Sequence, residues 1–211
     1  MNKYSSSKYT STSEYIKVDK EIWPINSGYS KQGHPLPIYT KQMKGIIKQI
    51  NIMTENYSRV LVVFFDLHLE SFTSDNGMIS HFYKLLSYRI KKEYRFKQVG
   101  CSWCRELERA KQQHYHMALF LEGRKIRTPH YLYNKIKDAW WDVGGGFMHM
   151  SGYHMIERED WQSKANVIYH LSYHAKERGK GYRPVQTKDY GLSRLKLIKP
   201  QSSPVFRTIQ R

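Results

Sequence analysis

An α+β fold on an antiparallel sheet is predicted by the order of the chain's amphipathic segments, the β-branched and aromatic runs between them, and the turn residues that punctuate both. The strongest strand is Arg59 to Glu70, where Val60, Leu61, Val62, Val63, Phe64 and Phe65 form an apolar run of residue types that suit a buried pleated surface. Its far end turns polar on one face only, through Asp66, His68 and Glu70. Ser71 to Gly77 is loop, and the spacing of Phe82, Leu85, Leu86 and Ile90 predicts a helix over 78–96. Val99 to Glu108 reads as a second strand and Arg109 to Gln112 as a turn. The third strand follows, with Tyr115, Met117, Leu119 and Leu121 alternating from His114 onward. Thr128 and Pro129 open a second helix bearing Tyr133, Ile136, Trp140 and Trp141, and Gly144-Gly145-Gly146 ends it. Phe147 to Ile156 reads as a fourth strand, and Asp160 caps a last helix drawn to Arg178 and stopped by Gly179. This order, β-α-β-β-α-β plus one helix, predicts a ferredoxin-like or RRM-like sheet with helices on one face and a C-terminal helix beyond it.

With 211 residues, one domain plus tails is expected. Residues 1–38, rich in Ser, Tyr, Thr and Lys and then in Gly and Pro, read as a flexible or loosely docked arm. The domain is drawn over 39–200, with 201–211 as a basic tail. Within it, Met43, Ile46, Ile47 and Ile50 form one face of an amphipathic helix whose other face carries Lys41, Lys44 and Lys48. That helix either braces the domain or lies along a phosphate backbone.

Lys and Arg number 35 against 18 acids, for a formal charge of +17. Such an excess points to a polyanion, nucleic acid ahead of an acidic membrane surface. The 17 tyrosines interleaved with these cations suit stacking on unpaired bases. No apolar run is long enough to span a bilayer, so no membrane partner is expected. Met1 to Ser6 lacks the apolar core of a secretory signal, which points to a cytoplasmic protein. Cys101 and Cys104 are three apart on a strand and face opposite ways, so they read as two reduced structural thiols.

Residues two apart on a strand share a face, so His114 and His116 present both imidazoles together. With the hairpin turn centred on Ala110, Glu106 lies opposite His114 and Cys104 opposite His116. Two nitrogens and one carboxylate oxygen suit Mg²⁺, Mn²⁺ or a similar divalent ion; Glu108 is the alternative ligand if the register moves by one step. A bland reading pairs the carboxylate with Arg105 or Arg109 instead. On the last helix, Tyr169, Tyr173, Lys176 and Lys180 fall on one stripe beside the core-facing side. A phenol becomes an effective nucleophile when its oxyanion is stabilised, as by an ammonium one turn away.

The combination of His114-Tyr115-His116 with Tyr173-x-x-Lys176 resembles the HUH endonucleases. More narrowly, five segments resemble the inovirus-type, gene-2-protein-like family of rolling-circle replication initiators. These are Asp66-Leu67-His68, Trp103-Cys104-Arg105-Glu106, His114-Tyr115-His116, Ser172-Tyr173-His174-Ala175-Lys176 and Tyr190-Gly191-Leu192-Ser193-Arg194. The resemblance implies metal binding by His114, His116 and Glu106, with Tyr173 as nucleophile and Lys176 as its electrostatic partner. Tyr169 stays open as a second nucleophile, because Tyr169 and Tyr173 form a Y-x-x-x-Y pair. His174 departs from the usually apolar position of that motif, and with His170 it is expected on the outer helical face, toward solvent or DNA. DNA contacts are expected from His68, Arg105, Arg183, Lys188 and Arg194, with Lys196 and Lys199 beside them.

The implied activity is nicking and joining of single-stranded DNA, at an origin or hairpin, through a 5′-phosphotyrosine link. With no G-x-x-x-x-G-K-[ST] motif in the chain, unwinding falls to a host helicase and extension to a host polymerase. The same pattern serves single-tyrosine transposases and relaxases. A non-catalytic RRM-like nucleic-acid-binding module shares the sheet and the basic aromatic surface. A histidine-triad hydrolase wants a third alternating histidine where Ala118 stands.

Overall fold

In the computed structural model, which describes residues 9–26, 28–107 and 112–198, the central sheet has five antiparallel strands. Ahead of it come four short strands, β1 (Thr10–Ser11), β2 (Tyr15–Val18), β3 (Glu21–Pro24) and β4 (Ile38–Tyr39), and helix α1 (Thr40–Asn56). Then follow β5 (Arg59–His68), α2 (Gly77–Tyr94), β6 (Gly100–Glu106), β7 (His114–Glu122), α3 (Leu132–Asp142), β8 (Met148–Glu157), α4 (Trp161–Ser172) and β9 (Tyr190–Leu192). The sheet order is β8-β5-β7-β6-β9. Its first four members reproduce the ferredoxin-like arrangement, with the first and third strands of the β-α-β-β-α-β unit paired at the centre.

Alternation along β5 divides the core in two. Leu61, Val63, Phe65 and Leu67 pack with α2 and α3 residues such as Phe82, Leu86, Ile136 and Trp140. Val60, Val62 and Phe64 face the other way, with Ile46 and Ile50 of α1 and Ile168 and Leu171 of α4. Helices therefore lie on both faces of the sheet. The helix at 40–56 braces the domain through Met43, Ile46, Ile47, Ile50 and Met53, all fully buried. Between β5 and β8 the register shifts by one residue after Phe64. That bulge rephases β8, so Met148 turns into the α2–α3 core while His149 comes opposite Asp66.

Two segments depart from the sequence reading. Of the residues expected to be a flexible arm, the described ones (9–26 and 28–38) are woven into the fold: β2 and β3 form a hairpin, Trp23 is fully buried, and its ring stacks on Trp161 at 5.6 Å. Composition concealed this, because only Ile16, Val18, Trp23, Ile25 and Ile38 carry the packing among the described residues of that arm. The 201–211 tail lies outside the described residues. The final helix ends at Ser172 rather than near Arg178, and a single 3-10 turn (Tyr173–Ala175) follows it. Lys176 is already extended, at ψ 147°. The N-terminal segment holds this break in place. Asn26 exchanges hydrogen bonds with the Ser172 hydroxyl, Gln42 Nε2 donates to the His174 carbonyl, and Glu177 N–H donates to the Pro37 carbonyl. Ile38 forms an isolated bridge with Lys176.

Because Trp23 joins the hairpin to α4, Trp23→Ala is expected to cost about 3–5 kcal/mol. Urea unfolding should show a lower midpoint in one transition; a separate early transition at the hairpin would show that residues 10–39 are not part of the cooperative unit.

Candidate metal centre

Pairing on both sides of β7 builds the site. His114 lies opposite Glu106 of β6 and opposite His68 of β5, and His116 lies opposite Cys104 and Asp66. The hairpin register is the one expected with the turn at Ala110, although residues 108–111, including the alternative ligand Glu108, lie outside the described residues. One donor atom each from Glu106, His114 and His116 lies within 4.8 Å of the others. The two Nε2 atoms are 3.2 Å apart, and His116 Nε2 is 3.5 Å from a Glu106 oxygen.

Both imidazoles are oriented by their other nitrogen. His114 Nδ1 lies 3.1 Å from the Gln112 carbonyl, and His116 Nδ1 lies 2.6 Å from Asp66 Oδ1. The two Nε2 atoms are thereby left facing one gap, as metal-ligating histidines with carbonyl and carboxylate partners are arranged. An N₂O donor set with water to complete the shell fits a divalent first-row ion or Mg²⁺.

The charges explain how the gap is held without a metal. Burial works against charge on His116, yet Asp66 and Glu106 outweigh it and raise the imidazolium's pKa to about 9. Burial lowers His114, favouring its neutral form beside His116. Burial alone would raise the Glu106 carboxyl, but the bond to His116 and the Lys180 and Lys176 ammoniums hold it well below the usual range. Lys180, fully buried, lies 3.1 Å from Glu106 Oε1 and donates to the Lys176 carbonyl at 2.6 Å. Lys176 Nζ sits 3.9 Å from Glu106 Oε2 and 3.1 Å from the Tyr173 ring centroid. Gly179 makes room for this: its φ is +79°, and a Cβ there would lie 3.0 Å from Glu106 Oε2.

Tyr173 stands beside the cluster, its ring 6.1 Å from that of His116, and 44% exposed. Tyr169, at 47% exposed, lies one helical turn earlier, and the ring contacts of His116 run instead to Tyr173, His174 and His114. His68 stacks on His114 at 5.4 Å, which puts it at the rim of the site.

Other expectations are corrected. His170 and His174 face the sheet, not solvent: His170 stacks on Phe64 at 4.1 Å, and His174 is buried and stacks on His116 at 5.6 Å. Burial pushes the His174 imidazole well below its ordinary pKa. Arg105 is 1% exposed on the opposite face, its guanidinium bonded to the Thr73 and Asp75 carbonyls and the Gln113 side chain, so it locks a loop and does not reach a strand of DNA. Arg183 is held by Asp189 at 2.7 Å. Lys188 and Arg194 are exposed, as is Lys196, while Lys199 lies outside the described residues. The two cysteines are free and buried, Cys101 within the α2–α3 core and Cys104 on the His116 face; burial pushes the Cys104 thiol up to about 12.

Asp66 and Lys180 were not singled out as site residues from sequence. Asp66 had a signal, since it falls opposite His116 once β5 and β7 are paired. Lys180 was placed only on the helical stripe with Tyr173 and Lys176, and its approach to Glu106 depends on the turn after Lys176.

Among known proteins, residues 25–193, most of the chain, match the family model described as the YagK/YfjJ C-terminal domain. No curated protein and no solved structure matches the chain. Among the described residues, no helix is long and apolar enough to cross a membrane.

The raised pKa of His116 favours a proton on the ring nitrogen that a cation would take. Binding of Mn²⁺ near pH 7 is therefore expected to release about one proton, from His116 and not from His114; calorimetry in buffers of differing ionisation enthalpy measures it. Without metal, the raised His116 pKa gives stability fully present below its ordinary value of 6.5 and lost as pH rises through about 9. A metal-free melting temperature that does not fall over that interval, or falls equally in His116→Ala, would exclude this assignment. Lys180→Met removes one buried cation from Glu106 and is expected to cost up to about 3–5 kcal/mol. Part of that loss should return on adding Mn²⁺, read as a larger metal-induced rise in melting temperature than in the parent.

Proposed function

The chain belongs to the YagK/YfjJ C-terminal domain family, and we propose that it is a metal-dependent HUH-type endonuclease that nicks and rejoins single-stranded DNA. Within that class, the resemblance of its motif segments to the inovirus-type initiators makes the start of rolling-circle replication, at an origin or hairpin of a phage, prophage or plasmid, the role it fits best. The observation that carries the reading is the placement of the Tyr173 ring 6.1 Å from His116, with Lys176 between that ring and Glu106. An oligonucleotide-gripping module of RRM-like shape gives no reason for these groups to converge.

His114, His116 and Glu106 would hold a divalent ion, Mg²⁺ or Mn²⁺, which supplies positive charge to the scissile phosphate. The Tyr173 hydroxyl attacks phosphorus; the new Tyr–O–P bond forms as the bond to the 3′ oxygen breaks. The phenolic proton leaves Tyr173 and a proton is gained by the departing 3′-hydroxyl, so none is consumed overall. Lys176 opposes the negative charge that develops on the phenolic oxygen. Asp66 keeps the His116 ring in its orientation throughout. The 5′-phosphotyrosine conserves the phosphodiester, so attack by a 3′-hydroxyl reseals the strand without ATP. Unwinding and extension then belong to a helicase and a polymerase of the host.

With Mn²⁺ and a pool of random and hairpin-bearing single strands, the protein is expected to give an SDS-resistant DNA adduct that EDTA abolishes. Tyr173→Phe should remove the adduct while Tyr169→Phe retains it. An adduct that survives in Tyr173→Phe moves the nucleophile elsewhere. Binding without any adduct in the parent, unaffected by chelation, would favour the non-catalytic module.

A further inference from the structure

Away from the metal centre, the edge of the sheet at β9 carries a groove of about 1060 Å³. Its walls include the rings of Tyr39, Tyr83, Trp103 and Tyr190, with Lys41 and Lys188 at the polar margin. Gly191 opposes Trp103, and a Cβ there would come 2.4 Å from the indole, so the absence of a side chain lets that ring lie over the β9 backbone. A second depression, lined by Thr40, Lys41, Lys44, Gly45 and Lys48, shares Lys41 and Gly45 with the first. The two are one tract, aromatic along the sheet edge and cationic along α1.

We infer that this tract binds single-stranded DNA, its bases against the tyrosine and tryptophan rings and its phosphates along Lys41, Lys44 and Lys48. The inference rests on the nuclease reading above, since it supplies the strand that the nick needs. Charge complementarity argues for the occupant. Asp189 is the one acid lining the groove among the described residues, and Arg183 already neutralises it at 2.7 Å. Lys41, Lys44 and Lys48 are exposed, and no ion pair to any of them is found among the described residues. They also begin in the first turn of α1, which carries no acidic residue. Cations there oppose the helix dipole and weaken the helix, whereas beside a phosphate the same charges and the dipole act together. Aromatic faces at intervals along a basic track are what binds an unpaired strand without reading its sequence.

Position supports it as well. Tyr39 in the groove wall follows Ile38, which bridges Lys176. Arg183 and Asp189 lie on the loop that leads away from Lys176 and Lys180. Tyr39 and the 181–190 loop thus connect the tract to the chain around Lys176.

The test separates binding from cleavage by working in EDTA with Tyr173→Phe, which lacks the proposed nucleophile. Affinity for a fluorescein-labelled oligothymidylate of about 15 nucleotides is followed by anisotropy across a salt series, with and without Lys41→Gln/Lys44→Gln/Lys48→Gln. Removing three phosphate contacts is expected to lessen the slope of log affinity against log salt by about 2. Tyr190→Leu is expected to weaken binding about tenfold, through loss of one stacked base, with less change in the slope. Retention of the Mn²⁺-induced rise in melting temperature shows that each variant is folded. An unchanged affinity and slope in the lysine variant overturns the inference, whatever the outcome at Tyr173. Loss of binding in that variant, with no adduct from the parent protein on any strand, upholds the groove and removes the nuclease.

Discussion

The antiparallel pairing of β7 with β5 on one side and β6 on the other is the constraint on which the rest of the site depends. It places five side chains from three strands together: Asp66 beside His116, His68 beside His114, and Glu106 across from His114 and 3.5 Å from His116 Nε2. Since strand side chains alternate between faces, a slip of one residue in either pairing would send the whole set into the α2–α3 core. The register is fixed by that core. Phe65 and Leu67 of β5, Met117 and Leu119 of β7 and Cys101 of β6 are buried on the far side, and none can exchange places with an aspartate or histidine without stranding a charge among α2 and α3.

Charge is the second determinant. Glu106 sits at 4% exposure among the His116 imidazolium and two ammoniums, so the metal-free site holds more positive charge than negative in its inner shell. Asp66 redresses part of that excess through His116 Nδ1. Such a cluster is costly to bury with any member missing. The arrangement would suit a cation held by His114, His116 and Glu106, with Asp66 keeping its hold on His116 Nδ1. Lys180 is a fixed counter-charge to Glu106. Lys176, against the phenol, is the second ammonium beside that carboxylate.

The four strands of the β-α-β-β-α-β unit and their helices were legible because each has a clean period, and the hairpin register followed from the position of Glu106 relative to His114. The N-terminal strands were not, because five buried residues among many serines and lysines give no period to read. β9 was not either: Tyr190–Leu192 is three residues long and gains its place only by pairing with Ser102–Cys104. Within the site, the histidines on α4 misled for one reason. Helical spacing located His170 and His174 on a common stripe but assumed that the helix continued, and it assigned that stripe to the outer face. Phe64 decides that question, since its ring packs face to face with His170 and edge-on to His174.

The break after Ser172 carries the larger consequence. On an uninterrupted helix, Lys176 would follow Tyr173 along the outer surface, roughly one turn on, and its ammonium would point along the helix rather than toward β6. Unwinding at Tyr173–Ala175 turns the chain back, so Lys176 Nζ lies between the phenol and Glu106 and Lys180 reaches the carboxylate from below. Sequence local to 170–180 does not explain that break, since Gly179 comes several residues too late to stop the helix. Its cause is tertiary: Asn26, Pro37, Ile38 and Gln42 bind the backbone or hydroxyl groups of Ser172, His174, Lys176 and Glu177 in succession. The segment whose composition suggested a loose arm is thus the clamp that fixes the lysine beside the tyrosine.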